Sequence, residues 1–375
     1  VSDAPSDLIS RGRAIFERLR APEPDPEVEG SLEGEVDEGH NAVETAAEPA
    51  EANEPAEPAA EPGAAVADTV TAPTETVTEP VPPAASPSPS VDEADTEAET
   101  TPAPPPAPVP APEEPHDFRR PLPRVIAVTN QKGGVGKTTT AVNLGAATAD
   151  LGYRVLVVDL DPQGNATTGL GLNTRDLHAS MYDVMLHDAA IEDCIEATSV
   201  RNLFVAPASL DLAGAEIELV PAMSRELKLR RALDEIKDDY DYVYIDCPPS
   251  LGLLTVNSLA AATEVLVPIQ CEYYALEGLG QLLRNVTLVQ KNLNQLLDLT
   301  MIVLVMYDAR TKLSDQVVQE VKTHFGEKVA RTVIPRTVRL SEAPSYGQPI
   351  TAFDPSSRGA IAYRELAKEV TGGAP

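Results

Sequence analysis

The chain has no tryptophan and only three cysteines in 375 residues: Cys194, Cys247 and Cys271. None of the three stands in CxxC spacing, which excludes a zinc ribbon and a disulfide framework and fits a reducing cytoplasm. No run approaches the roughly 18 apolar residues of a membrane-spanning helix, so no stable membrane insertion is expected. The opening VSDAPSDLISRGR lacks an apolar stretch behind a basic flank and does not read as a signal peptide. Positive charge is missing from a long segment: residues 21–118 contain no Lys or Arg. The whole chain carries 29 Lys+Arg against 59 Asp+Glu, a formal net charge of −30. That balance argues against whole-surface binding to nucleic acid or anionic membrane, but not against a local basic patch.

The imbalance is uneven. Residues 1–120 hold 28 acidic and 6 basic side chains and 22 of the 35 prolines, whereas residues 121–375 hold 31 acidic and 23 basic. The first third has too few large apolar residues to offset the entropy of ordering. Residues 21–120 therefore read as a disordered, self-repelling Pro/Ala/Glu-rich acidic linker, with polyproline II character near TPAPPPAPVPAPEEP. Within residues 1–20, the segment SDLISRGRAIFERLR (6–20) has Leu8, Ile9, Ile15, Phe16 and Leu19 at helical spacing among four arginines. Three readings are open for this short amphipathic helix: a fraying terminus, a docking peptide for a polar or scaffold protein, or a membrane-surface helix.

Residues 121–375 suit one sizeable domain. Buried strands are expected at 124–129, 154–159, 203–207, 242–246, 264–270, 300–306 and 332–335. Helices are expected near 138–151, 211–218, 223–237, 252–262, 275–292, 314–325 and 358–370. Near-continuous apolar strands alternating with helices predict a doubly wound, mostly parallel α/β sheet, with ligands at the carboxyl ends of the strands.

The chemistry-bearing residues follow those strands. QKGGVGKTT (131–139) lies after a strand and before a helix, the context of a phosphate-binding loop. Its glycines let backbone N–H groups curl around a phosphate at a helix N-terminus. Lys137 is placed to reach β- and γ-phosphates, and the Thr138 hydroxyl to ligate Mg²⁺. Lys132, five residues earlier, is either a solvated loop lysine or a second cation aimed across a dimer interface. Asp161, past the end of the second strand, is placed to polarise an attacking water. Asp159 either supports the metal shell or caps its strand. Asp246 ends the apolar strand YVYID, the position of a carboxylate that touches Mg²⁺ directly or through water. Cys247 reads as a small residue in a tight turn.

Taken together, KGGVGKTTT, VDLDPQGNAT, IDCPPSLGLLT, CEYYALEGL and VIPRTVRLSEAPSYGQPI resemble the ParA/Soj chromosome-partitioning ATPases, P-loop proteins of the deviant Walker A group. The resemblance runs from about Arg124 to Val370. It implies a P-loop NTPase fold and a slow, partner-stimulated ATP hydrolase. ATP and Mg²⁺ would be held by Lys132, Gly133, Gly134, Val135, Gly136, Lys137, Thr138 and Thr139, with Asp246 at the metal. Lys132 matches the lysine that crosses to the partner's phosphates, and Gly133 the glycine that must be small for two loops to approach. Asp161 matches the carboxylate needed for hydrolysis. Pro335 and Thr337 match positions lining the adenine, although Thr337 departs from the Asn common there. Arg310 and Arg339 match arginines that bind DNA without sequence preference, with Lys312, Arg336 and Arg358 as weaker additions. The partners implied are a second copy in an ATP-dependent homodimer, DNA, and a ParB-type centromere-binding protein. The implied location is cytoplasmic and nucleoid-associated.

Rival readings share parts of this pattern. A MinD-like regulator of division-site placement has the same loop and both lysines but anchors through an amphipathic helix. Here Glu365 and Glu369 interrupt the basic residues of RGAIAYRELAKEVTGGAP. A nitrogenase-reductase-like carrier needs cluster-binding cysteines that this pattern lacks. A bacterial tyrosine kinase needs a tyrosine cluster near the C-terminus. An ATP-switched scaffold with little hydrolysis is the non-enzymatic alternative.

Overall fold

The computed structural model describes residues 120–272 and 275–373. The segment 6–20 and the acidic linker up to residue 119 lie outside the described residues. Seven strands form one sheet: β1 (Arg124–Val128), β2 (Val155–Asp159), β3 (Glu196–Ala197), β4 (Leu203–Ala206), β5 (Tyr242–Asp246), β6 (Glu264–Gln270) and β7 (Asp298–Val305). Their spatial order is β3-β4-β2-β5-β1-β6-β7. All pairings are parallel except the short β3–β4 edge pair.

Alternation along each strand splits the interior into two cores. Ile126, Val128, Val155, Val157, Tyr242 and Tyr244 face one layer, with α1 (Lys137–Asp150) and α11 (Arg358–Thr371) packed on it. Val125, Ala127, Leu156, Val158, Val243 and Ile245 face the other. That second layer holds α3 (Met181–His187), α4 (Leu212–Glu218), α5 (Lys228–Ile236), α6 (Leu253–Ala261), α7 (Ala275–Asn292) and α8 (Lys312–Phe325). The expected doubly wound sheet is what the chain forms.

The central helix α1 is fixed by polar bonds as well as packing. Thr140 shares a hydrogen bond with the Tyr363 hydroxyl at 3.3 Å, and Thr148 with the Tyr244 hydroxyl at 3.1 Å. Asn143 Oδ1 accepts the Ile350 N–H at 2.6 Å. At the opposite end of the sheet, buried Arg124 forks onto Glu264 through two 2.7 Å bonds and donates to the Val370 carbonyl, tying β1, β6 and α11. Breaking such a buried pair costs about 3–5 kcal/mol, because it strands a charge.

The strand expected at 332–335 does not form. Ala330 and Ile334 donate to Ile302 and Leu304 of β7, but between them the Arg331 and Thr332 N–H groups donate to the Glu369 carboxylate. Pro335 has no N–H to offer. The result is isolated bridges, Ile302 with Val329 and Tyr307 with Pro335, rather than a ladder. The two-residue β3 and the short helices α2 (Asn165–Gly169), α3, α9 (Val338–Glu342) and α10 (Ile350–Phe353) were not expected from periodicity, being too short to show one.

Candidate nucleotide site

Register brings the chemistry together. Val128, at the end of β1, pairs with Asp246, at the end of β5, which in turn pairs with Asp159, at the end of β2. Three adjacent parallel strands thus finish at one level, and the loop 129–136 springs from one of them, β1.

Asn130 braces that loop. Its Nδ2 donates to the Pro268 carbonyl at 2.8 Å, and its Oδ1 accepts the Lys132 N–H at 3.1 Å. Gly134 (φ +72°) and Gly136 (φ +80°) take left-handed conformations that only glycine adopts cheaply. Gly136 caps α1 with no side-chain bond, so the first N–H groups of the helix remain available to an anion. A Cβ built on Gly133 meets no atom within 4 Å among the described residues.

Lys137 is 6 % exposed, and its Nζ donates to the Lys132 carbonyl at 3.2 Å. Burial pulls its pKa below the ordinary lysine value, against Asp246 and Asp161, which favour the charged form. Asp246 is fully buried, and neither carboxylate oxygen has a hydrogen-bond partner among the described residues. Burial and then the Asp159 charge push its pKa well above the carboxylate range. The Thr138 hydroxyl and Lys137 oppose that shift; Thr138 does so without forming a well-aligned hydrogen bond. A buried carboxylate with both oxygens open, beside a threonine hydroxyl at a phosphate loop, suits Mg²⁺. That ion takes one or two protein oxygens and completes its shell with phosphates and water. No cluster of three metal-ligating side chains occurs among the described residues, as such a site does not require one.

Asp159 differs. Its Oδ1 accepts the Asp161 N–H at 3.2 Å, and its Oδ2 accepts the Thr167 N–H and hydroxyl at 2.8 and 2.7 Å. Burial raises its pKa to about 6. Its oxygens are committed to the backbone, which favours the capping alternative over a metal role. Asp161 is nearly buried, and its Oδ1 accepts the Gln163 N–H at 3.0 Å.

A cavity of about 370 Å³ opens beside the loop, lined by Gly136 and Thr139 on one side and Met306, Pro335, Arg336 and Thr337 on the other. Pro335 and Thr337 therefore reach the phosphate loop despite lying 200 residues away. The Thr337 hydroxyl accepts the Leu340 N–H and so caps α9. A second cavity of about 250 Å³ lies between Thr138, Asn143, Asn165 and Gln348.

The two candidate DNA-contact arginines are exposed but carry acidic partners. Arg310 forks onto Asp308 at 2.9 and 2.6 Å, and Arg339 bonds Asp354 at 2.9 Å and Glu342 at 2.8 Å. Cys194, Cys247 and Cys271 are buried, and burial pushes each thiol up to about 12, so none is a nucleophile. Sequence reading missed Asn130, whose signal was only its adjacency to the glycine loop.

Residues 123–299 match a family described as AAA domain. The sporulation initiation inhibitor protein Soj of Bacillus subtilis is 62% identical over 247 residues, 66% of this chain and 98% of its own length. The chromosome partitioning protein ParA of Caulobacter vibrioides is 51% identical over 249 residues, 66% of this chain and 93% of its own. Among solved structures, a Mycobacterium smegmatis protein described as cobyrinic acid a,c-diamide synthase, with bound ADP and magnesium, is 44% identical. It superposes with a TM-score of 0.58 over 65% of this chain and 92% of that one. The septum site-determining protein MinD of Pyrococcus horikoshii, complexed with Mg-ADP, gives 28% identity and a TM-score of 0.55 over 66% and 95%. About a third of this chain has no counterpart in these proteins.

Proposed function

This chain belongs to the Soj/ParA family of chromosome-partitioning ATPases, and on that premise we propose that it dimerises on Mg·ATP, binds DNA non-specifically and segregates chromosome origins with a ParB-type partner. The observation that carries the nucleotide chemistry is the orphaned Asp246 carboxylate beneath Lys137 and Thr138. Lys137 orients the β- and γ-phosphates, the loop N–H groups of residues 133–138 cradle them, and Thr138 with Asp246 holds the metal. Mg²⁺, when bound there, neutralises charge on the phosphate oxygens. Asp161 orients the attacking water, with its own backbone N–H fixed by Asp159. Lys132 reaches the partner's phosphates, and the open space around Gly133 is where the partner's loop approaches. The adenine lies in the cavity walled by Pro335 and Thr337.

DNA phosphates displace Asp308 and Asp354 from Arg310 and Arg339, an exchange of anions that costs little at exposed sites. A dimer presents two such patches, and DNA affinity thereby depends on ATP. The MinD-like alternative is less favoured because α11 buries Ala360, Tyr363, Leu366, Ala367 and Val370 in the core. No described helix is long and apolar enough to cross a membrane. Intact Lys132, Lys137 and Asp161 favour turnover over an ATP-switched scaffold.

DNA co-sedimentation with ATP, with ADP and without nucleotide, repeated across a salt series, tests this reading. Retention should require ATP and fall steeply with salt. Equal retention in all three nucleotide conditions would overturn it.

A further inference from the structure

Two glycines far apart in sequence pack backbone against backbone. A Cβ built on Gly347 would stand 2.8 Å from the Gly171 Cα and 3.4 Å from the Gly171 nitrogen and the Thr168 carbonyl oxygen. A Cβ built on Gly171 would stand 2.9 Å from the Gly347 carbonyl oxygen. The obstacle is main chain in both cases, so no side chain can swing aside to make room. Both residues also hold left-handed conformations, φ +90° at Gly171 and +61° at Gly347. Gly171 lies just past α2, and Gly347 just past the helical turn Ala343–Tyr346.

Each side of this contact leads into the nucleotide site. On one side, the Gly164 N–H donates to the Asp161 carbonyl at 2.9 Å and opens α2. Within α2, the Thr167 N–H shares the Asp159 carboxylate with the Asp161 N–H. Asp161 is therefore tied to α2 twice, and the far end of α2 rests on Gly347. On the other side, Thr337 caps α9, and α9 runs straight into the turn that ends at Gly347. Pro344, in that turn, lines both cavities beside the phosphate loop. The two sides do not yield equally. Ala343 and Ile350 are buried, and Asn143 of α1 holds the Ile350 N–H at 2.6 Å. Gly171 and Asn173 are exposed. A side chain inserted at the contact therefore displaces α2 rather than the 343–350 segment.

We propose that Gly171 and Gly347 are positioning residues for ATP hydrolysis: their contact sets α2, and with it Asp161, against the segment that carries Pro335 and Thr337. The inference rests on the partitioning-ATPase reading and deepens it. Asp161 orients a water only while its own place is fixed, and a misplacement of about 1 Å caused by a change far from the chemistry costs about 10²-fold in rate. Neither glycine lines the cavities beside the phosphate loop. The contact therefore governs turnover rather than the binding of nucleotide, and it does so through one continuous run of packed and hydrogen-bonded backbone.

Single-turnover ATP hydrolysis and ATP affinity, measured on the full chain, test this in wild type, Gly347→Ala, Gly171→Ala and Gly326→Ala. Gly326 also has a positive φ, +51°, but its Cβ would meet no atom within 4 Å among the described residues. That variant reports the effect of a strained φ without the contact. Gly347→Ala and Gly171→Ala should each lower the single-turnover rate at least about tenfold and leave ATP affinity within about threefold of wild type, whereas Gly326→Ala should keep the wild-type rate. Without nucleotide, amide hydrogen exchange over residues 161–172 should be at least about tenfold faster in the two contact variants than in Gly326→Ala. Wild-type rates in both contact variants, beside a wild type that hydrolyses ATP, overturn the proposal and leave the partitioning reading standing. Affinity that falls as far as the rate, or failure of both variants to fold, makes the contact one of general stability and overturns it too. A wild type that hydrolyses no ATP overturns the partitioning reading itself, and this inference with it.

Discussion

Asp159 and Asp246 pair in register on adjacent strands and are both fully buried, yet among the described residues Asp159 has both carboxylate oxygens hydrogen-bonded and Asp246 has neither. One carboxylate is finished by its own chain. The other has no such partner among the described residues.

Substitution should separate them. Asp159→Ala strands the Asp161 and Thr167 N–H groups and should cost about 2–4 kcal/mol in urea unfolding without nucleotide. Asp246→Asn removes a buried carboxyl that has no hydrogen-bond partner among the described residues and keeps the shape. It should be neutral or stabilising in the same assay, while abolishing the extra stability conferred by Mg·ATP. Equal destabilisation by both would contradict the assignment of the two roles.

The raised pKa of Asp246 gives a pH dependence with a definite sign. A proton and Mg²⁺ compete for the same oxygens, and the protonated form persists above the usual carboxylate range. Apparent Mg²⁺ affinity in the ATP complex should therefore rise with pH above the usual carboxylate range. Magnesium titration followed by a fluorescent ATP analogue checks this, and the rise should vanish in Asp246→Asn.

Gly133→Val should be nearly silent within one protomer, since nothing described lies within 4 Å of its Cβ. We expect wild-type stability and retained ATP binding, with the ATP-dependent dimer lost by gel filtration. An ATP-dependent dimer in this variant would count against a partner approaching at the loop.

Asp161→Ala should slow single-turnover ATP hydrolysis by about 10²-fold or more while leaving nucleotide binding and the fold in place. If wild type and variant hydrolyse alike, Asp161 is not the water-orienting group.

Arg310→Ala combined with Arg339→Ala should abolish DNA retention and flatten its salt dependence, with the ATP-dependent dimer intact. The exposed pairs with Asp308, Asp354 and Glu342 add little to stability, so the melting temperature should barely move. Unchanged retention would place the basic patch elsewhere.

The phosphate loop and the six parallel strands were readable because their signals are local. The glycine loop needs only its neighbours to curl, and each strand needs only a run of apolar residues. Residues 332–335 misled for the same reason: TVIP looks like a strand, and only Glu369, 37 residues on, captures the N–H of Thr332. The role of Asp159 stayed open for want of its partner. Two aspartates spaced by two look alike until Thr167 is seen to satisfy one of them.

By itself the sequence determined the fold class, the position of the phosphate loop and the carboxylates that end its flanking strands. These follow from periodicity and from backbone freedom, which act over a few residues. Only the tertiary structure decided which carboxylate is left open and that Pro335 and Thr337 reach Gly136. Those outcomes depend on strand register and on burial, which couple residues far apart in the chain.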